Sequence, residues 1–200
     1  MRKKSGTEIS SCERVPLDDE LPIIWVSEFN QDTAQTFIKS LMAIEANPTI
    51  SEIFIFITSY GGELYPCLAM VDVMNSCKKI INTVSLGISA SAGGVLLANG
   101  TKGYRWISES SLLHIHLTQL SLNGTTTSTK TEINFVKNLD KKLTENLLKN
   151  SKITKKDFEK LFNEAHGEWC ISPEEALKYG FVDRIGIPKF KKYEILTVEE

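Results

Sequence analysis

The chain has 200 residues, 42% of them hydrophobic, with 23 basic against 25 acidic side chains and a formal charge of -2. That length suits one domain with a real buried core. The charge argues against nucleic acid as the main partner, which wants a clustered basic excess, and no apolar run approaches the ~18 residues of a membrane span.

Residues 1–20 are polar and aperiodic. Their basic start, Met1-Arg2-Lys3-Lys4, has no apolar segment behind it, so an arm is expected rather than a signal peptide, and an intracellular protein. Residues 22–26 read as a short strand. Asn30 can cap a helix over 31–46, where Ala34, Phe37, Ile38, Leu41 and Met42 recur at helical spacing, and Asn47-Pro48 stops it. Residues 53–57 are wholly apolar, as in a buried parallel strand. The Gly61-Gly62 turn leads to a helix over 64–77 with the stripe Leu64, Cys67, Leu68 and Val71. A strand over 80–86 and a helix over 91–99 follow, so strands alternate with helices and βαβ units on a parallel sheet are expected.

Residues 104–107 and 111–117 read as strands, the latter placing Leu113, Ile115 and Leu117 on one face and Leu112, His114 and His116 on the other. Residues 120–128, rich in Thr, Ser and Gly, read as a loop or exposed edge. A long helix is expected over 129–150 and another after Thr154. Ser172-Pro173-Glu174-Glu175 starts a helix with a cap, a proline at its first position and a capping box; Gly180 ends it before a last strand over 181–185. The domain is thus expected over 22–186, with an arm over 1–21 and a tail over 187–200. The basic stretches 152–156 and 189–192 are interrupted by other residues and read as solvated surface. Cys12, Cys67, Cys77 and Cys170 form no CxxC pair and read as free thiols, not a metal site.

The chemistry concentrates in Gly87-Ile88-Ser89-Ala90-Ser91-Ala92-Gly93-Gly94. These residues are too small to hide a serine at a strand-to-helix junction. Spacing alone does not choose between Ser89 and Ser91, and either can merely cap the helix. His114 and His116 share a strand face, so either can be the base that activates a serine. Glu168, just before the capped helix, is a candidate carboxylate to orient the imidazole. A backbone amide at Gly61, with that of Ala92, can serve a developing oxyanion. Together these suggest acyl transfer.

The same residues resemble the proteolytic subunit of the Clp protease, a serine peptidase of the crotonase-like (ClpP) α/β fold built of repeated βαβ units with a long handle helix. The resemblance spans about residues 22–185. It rests on residues 53–62 ending in Ser59-Tyr60-Gly61-Gly62, on 68–74, on Gly87 to Gly94, on 97–105, on 111–116, and on Glu-Ala-Leu-Lys-Tyr-Gly-Phe-Val-Asp within 172–183. It implies Ser91 as nucleophile, His116 as general base, Glu168 in the place of the family's aspartate, and Gly61 and Ala92 as oxyanion donors. It further implies that Gly62, Leu120 and Leu122 bind extended peptide by adding it as a strand, that Phe54 and Phe56 dock an unfoldase loop, and that the helix over 129–150 interlocks two rings.

The implied partners are polypeptide substrates, a Clp-type ATPase unfoldase, and further copies of the chain in two stacked heptameric rings or a mixed ring with a paralogue. No cofactor or metal is expected. A catalytically inactive structural or regulatory ring subunit is the alternative. Besides the glutamate at 168, three features depart from the family pattern: Tyr60 replaces a proline, Gln119-Leu120 replaces Gln-Pro, and residues 1–21 do not match the gating segment. A cytoplasmic site is expected; the divergence would also suit a phage protein acting in its host cytoplasm, or a plastid protein.

Overall fold

The computed structural model describes residues 22–118 and 126–189. The arm expected over 1–21, Leu120, Leu122 and all of the tail from residue 190 lie outside them. In chain order the elements are β1 (Ile23–Val26), α1 (Gln31–Ala46), β2 (Glu52–Ser59), α2 (Leu64–Ser76), β3 (Ile80–Ala90), α3 (Ala92–Ala98), β4 (Arg105–Ile107), β5 (Leu112–His116), α4 (Thr126–Lys149), α5 (Lys155–Glu164), β6 (Glu168–Ile171), α6 (Pro173–Tyr179) and β7 (Arg184–Ile185). Strands β1-β2-β3-β4-β7 lie side by side and parallel, β5 pairs parallel with β3, and β6 pairs antiparallel with β5.

Local sequence sets the helix ends. Asn30 Oδ1 accepts the Thr33 N–H at 2.9 Å while Thr33 Oγ1 accepts the Asn30 N–H at 3.0 Å, so α1 opens on a reciprocal cap. Ser172 and Glu175 do the same for α6, which Gly180 closes in the left-handed conformation. Ile24, Val26, Ile53, Ile55 and Ile57 form one buried sheet face with Phe37 and Leu41 of α1 and with helix α2.

The α2 stripe is displaced from the expected one. Met70 and Met74 are buried with Cys67 and Val71, whereas Leu64 and Leu68 are only partly so. Strand β2 pairs parallel on both sides and is buried over 53–57 as expected, except at the half-buried Phe54; Phe56 is 5% exposed beneath Trp25, which stacks on it at 4.8 Å and itself stands 66% exposed.

Two features position the site. The first is a bend in β3. Its residues Ile80 to Ser85 pair with β2, and Thr83 to Ser85 also with β4. The register shifts near Gly87 (φ 74°); Ser89 still meets Ser59 of β2, while on the other side Ile88 to Ala90 pair with β5 in place of β4. The break turns that side of the strand from β4 to β5. The second is β6, a strand not among the predicted elements. Its alternation puts Trp169 and Ile171 in the core and Glu168 and Cys170 outside. Trp169 meets Phe158, Tyr179 and Phe181 edge-on at 5.4–6.0 Å between ring centres. Helix α4 begins at Thr126, earlier than expected.

A buried ion pair closes the far end. Arg105 grips Asp183 through Nε (2.8 Å) and Nη2 (2.7 Å), and its Nη1 donates to the carbonyls of Ala98 and Asn150. It thereby joins α3, α4, β4 and the segment before β7. Burial pushes the Asp183 carboxyl up, but the hydrogen bonds and charge of Arg105 outweigh it and hold it below the usual carboxylate range.

Candidate active site

Ser91 sits where β3 breaks into α3, with φ 53° and ψ -119°. Those angles belong to the first central position of a type II′ turn, which glycine normally fills. Among the described residues only His166 is another non-glycine with positive φ. Such a conformation costs on the order of 1–3 kcal/mol and persists only where its surroundings impose it. Here the Ser91 N–H donates to the His114 carbonyl at 2.9 Å, and the Ser91 carbonyl accepts from Gly94 and Val95 at 3.0 and 3.2 Å.

The hydroxyl caps nothing. Ser89, by contrast, is fully buried and donates to Ser85 Oγ at 2.8 Å. The choice left open by spacing thus falls on Ser91, which lines a cavity of about 820 Å³ together with His114 and His116.

Gly61 and Gly62 form the opposite wall of the serine. A Cβ on Gly61 (φ 106°) would lie 2.7 Å from Ser91 Cβ and 3.2 Å from its Oγ; one on Gly62 (φ 146°) would strike the Phe29 carbonyl at 2.4 Å. Only glycine allows both the angles and the approach. The Gly61 N–H already donates to Ser59 Oγ at 3.0 Å. The bridge between this turn and Phe29 uses the Gly61 carbonyl and the Glu63 N–H. The Gly62 N–H is therefore left without an acceptor among the described residues, as is that of Ala92 in the first turn of α3.

Cys67 packs beneath, its Sγ 3.5 Å from the Ala92 carbonyl; burial pushes its thiol up to about 12, so it is an inert packing group. Cys77 and Cys170 are also free thiols.

The two histidines are distinguished by their partners. His116 Nδ1 lies 2.6 Å from the Leu117 carbonyl. A carbonyl only accepts, so Nδ1 carries the proton and Nε2 is left as the basic nitrogen. His114 Nε2 instead meets Glu168 Oε2 at 3.0 Å. The expected partner of His116 thus contacts the neighbouring imidazole, although the strand register sets His116 opposite Glu168 and His114 opposite Cys170. The two rings stand 5.4 Å apart.

No hydrogen bond joins Ser91 Oγ to either imidazole among the described residues; such bonds are commonly long before substrate binds. Phe54 and Phe56 lie on the outer face of β2, beside Trp25 rather than in the cavity. The sequence reading missed one further contact: both the Thr118 N–H and Oγ1 donate to Asp140 Oδ1 on α4, at 3.1 and 2.5 Å. Nothing in the spacing of 118 and 140 signals it.

A strained serine, a histidine with its Nδ1 proton committed and two amides without acceptors thus line one cavity. A family model described as Clp protease matches residues 6–189. The chain belongs to the Clp protease family. It is similar to the ATP-dependent Clp protease proteolytic subunit 1 of Prochlorococcus marinus (strain MIT 9312), at 32% identity over 82% of this chain and 83% of that protein. The subunit 1 of Leifsonia xyli subsp. xyli is 30% identical over 82% of each. The proteolytic subunit of Deinococcus radiodurans is 31% identical over 76% of this chain and 73% of its own.

The crotonase-like α/β fold and the assignment as a serine-type endopeptidase, a hydrolase of the Clp type, follow from that membership. The relatives bear the names of proteolytic subunits, and nothing among them indicates the inactive ring subunit. Members of the family generally form rings that partner with Clp ATPases. Among the described residues no helix is long and apolar enough to cross a membrane.

Proposed function

We propose that Ser91 and His116 hydrolyse unfolded polypeptides into short peptides inside a ring-shaped chamber. Nε2 of His116 takes the Ser91 proton as Oγ attacks the peptide carbonyl. The tetrahedral oxyanion is held by the N–H groups of Ala92 and Gly62. Gly62 takes the donor role expected of Gly61, because the Gly61 amide already serves Ser59. His116 then protonates the leaving amine, and water, deprotonated by the same nitrogen, releases the acyl group from Ser91. The observation that carries this reading is the backbone of Ser91: a serine in a glycine-type turn, uncapped, on the same cavity as a histidine whose Nδ1 proton is already committed.

The assembly is part of the same reading. Trp25, Met42, Tyr65 and Phe135 are all large, apolar and about half exposed or more, which favours burial against other copies or partners. Helix α4 acts as the handle between two stacked heptameric rings, or between rings shared with a paralogue. Phe54 and Phe56, with Trp25, receive a loop of a Clp-type ATPase, which alone uses ATP; the relatives' names carry that ATP dependence. The peptidase domain spans 22–186, and the enzyme works in the cytoplasm with no cofactor at its site.

The test is Ser91→Ala in the full chain. We expect loss of fluorogenic-peptide cleavage, by about 10³-fold or more, with native mass unchanged. Cleavage at the parental rate would remove Ser91 from the mechanism.

A further inference from the structure

We propose that the Leu117 carbonyl, rather than the Glu168 carboxylate, orients His116 in this chain, and that Asp140 is the positioning residue that fixes this carbonyl through Thr118. The inference rests on the assignment of Ser91 and His116 above.

The third group of a serine-histidine site holds the imidazole in the tautomer that frees Nε2, and steadies the cation that forms. The Leu117 carbonyl meets the first requirement at 2.6 Å from Nδ1. It brings a dipole, not a full charge, to the second. For the carbonyl of the next residue to reach the ring, the chain must turn as soon as β5 ends. Leu117 itself does not enforce that turn, since its side chain is 55% exposed.

The next residue does. Thr118 gives both its N–H and its hydroxyl proton to one oxygen, Asp140 Oδ1. Asp140 lies on α4 beside Leu139, which is buried, and one turn before Leu143, which packs on the core. A rigid helix therefore holds the backbone on which His116 leans.

Glu168 is engaged elsewhere for a geometric reason. It stands directly opposite His116, but its side chain runs to the diagonal neighbour His114. Diagonal positions on an antiparallel pair lie within reach of long side chains. The carboxylate is also 57% exposed, where water weakens its hold on any cation. The titratable groups around His116 are then His114, Glu168 and Cys170 on the strand face, Asp140 behind Thr118, and Glu63, Lys141, Glu145, Lys155 and Glu159 on the walls of the shared cavity.

The experiment measures kcat, KM and the pH profile of peptide cleavage by the assembled full chain in three variants, with His116→Ala as a separate check on the site itself. Glu168→Gln should retain kcat/KM within about fivefold, as for loss of an exposed charge, with the midpoint of its pH profile unmoved. Asp140→Ala should lose about ten- to a hundredfold in kcat, the penalty of a misplaced base, with KM little changed. Asp140→Asn should recover most of that loss, because its amide oxygen accepts the same two bonds from Thr118.

A loss near 10⁴-fold in Glu168→Gln, the effect of removing a working triad carboxylate, or a displaced pH midpoint, would overturn the proposal. So would an Asp140→Ala enzyme at parental kcat. If Asp140→Ala fails to assemble by native mass, the Glu168→Gln result decides alone. Activity surviving His116→Ala would instead sink the underlying site assignment, which neither Glu168 nor Asp140 tests.

Discussion

Gly61 and Ser91 are held against each other with no room for a methyl group. An added Cβ at 61 would lie 2.7 Å from Ser91 Cβ and would also adopt a φ of 106°, which side-chain-bearing residues avoid. Gly61→Ala should therefore displace the nucleophile and lower kcat by about a hundredfold. Gly103→Ala is the control: its φ is also positive, at 91°, but nothing lies within 4 Å of the added atom. Steady-state kinetics of the two variants checks this, and equal losses would show that backbone strain, not contact with Ser91, is responsible.

The residue types needed for hydrolysis were legible from the sequence. Spacing alone did not choose between the two serines or the two histidines, because both pairs alternate on strands whose facing depends on the bend in β3 and on the chain beyond β5; only the family resemblance pointed to Ser91 and His116. Burial separates Ser89 from Ser91, and the Leu117 carbonyl separates His116 from His114.

Among the elements, capped helices were the most legible. Asn30, Thr154 and Ser172 each announce a helix start chemically, and all three cap as expected. Strand β6 was not, since four residues behind a turn at His166 and Gly167 carry too little periodicity to distinguish from a loop. The α2 stripe was misplaced because Met70 and Met74 share an apolar helix with Leu64 and Leu68, and only packing chooses the buried side.

The segments around Arg105 and Asp183 looked like family signatures and prove to be one structural clamp. Asp183→Ala would leave the Arg105 guanidinium, 2% exposed, without its counter-charge. That should cost roughly 3–5 kcal/mol near neutral pH. Because the folded carboxyl is held below its ordinary range, the pair contributes fully above that range and fades as pH falls through the folded value. Thermal unfolding of both proteins from neutral to acid pH should show the gap in Tm closing; a constant gap would contradict the ion-pair account.

On the scale of the whole molecule, the sheet has one covered face and one that stays apolar and partly open. The helices α1, α2 and α3 bury Ile53, Ile55 and Ile57, while Trp25 and Phe54 remain accessible on the other side. The wholly apolar run 53–57 reads as a buried parallel strand, and it is one: on the second face Phe56 is buried beneath Trp25, and only Phe54 of the run stays half-open. The segments bearing Ser91 and His116 lie at the opposite ends of the strands from the Arg105–Asp183 clamp. They meet through β3, whose first half builds the main sheet and whose last three residues carry the serine to β5.

The account is tested most directly by treating the assembled protein with a fluorophosphonate and locating the adduct by peptide mass spectrometry. It predicts one modified site, Ser91, with labelling greatly slowed in His116→Ala. An adduct on another serine, or labelling of Ser91 at the parental rate without the histidine, would contradict it.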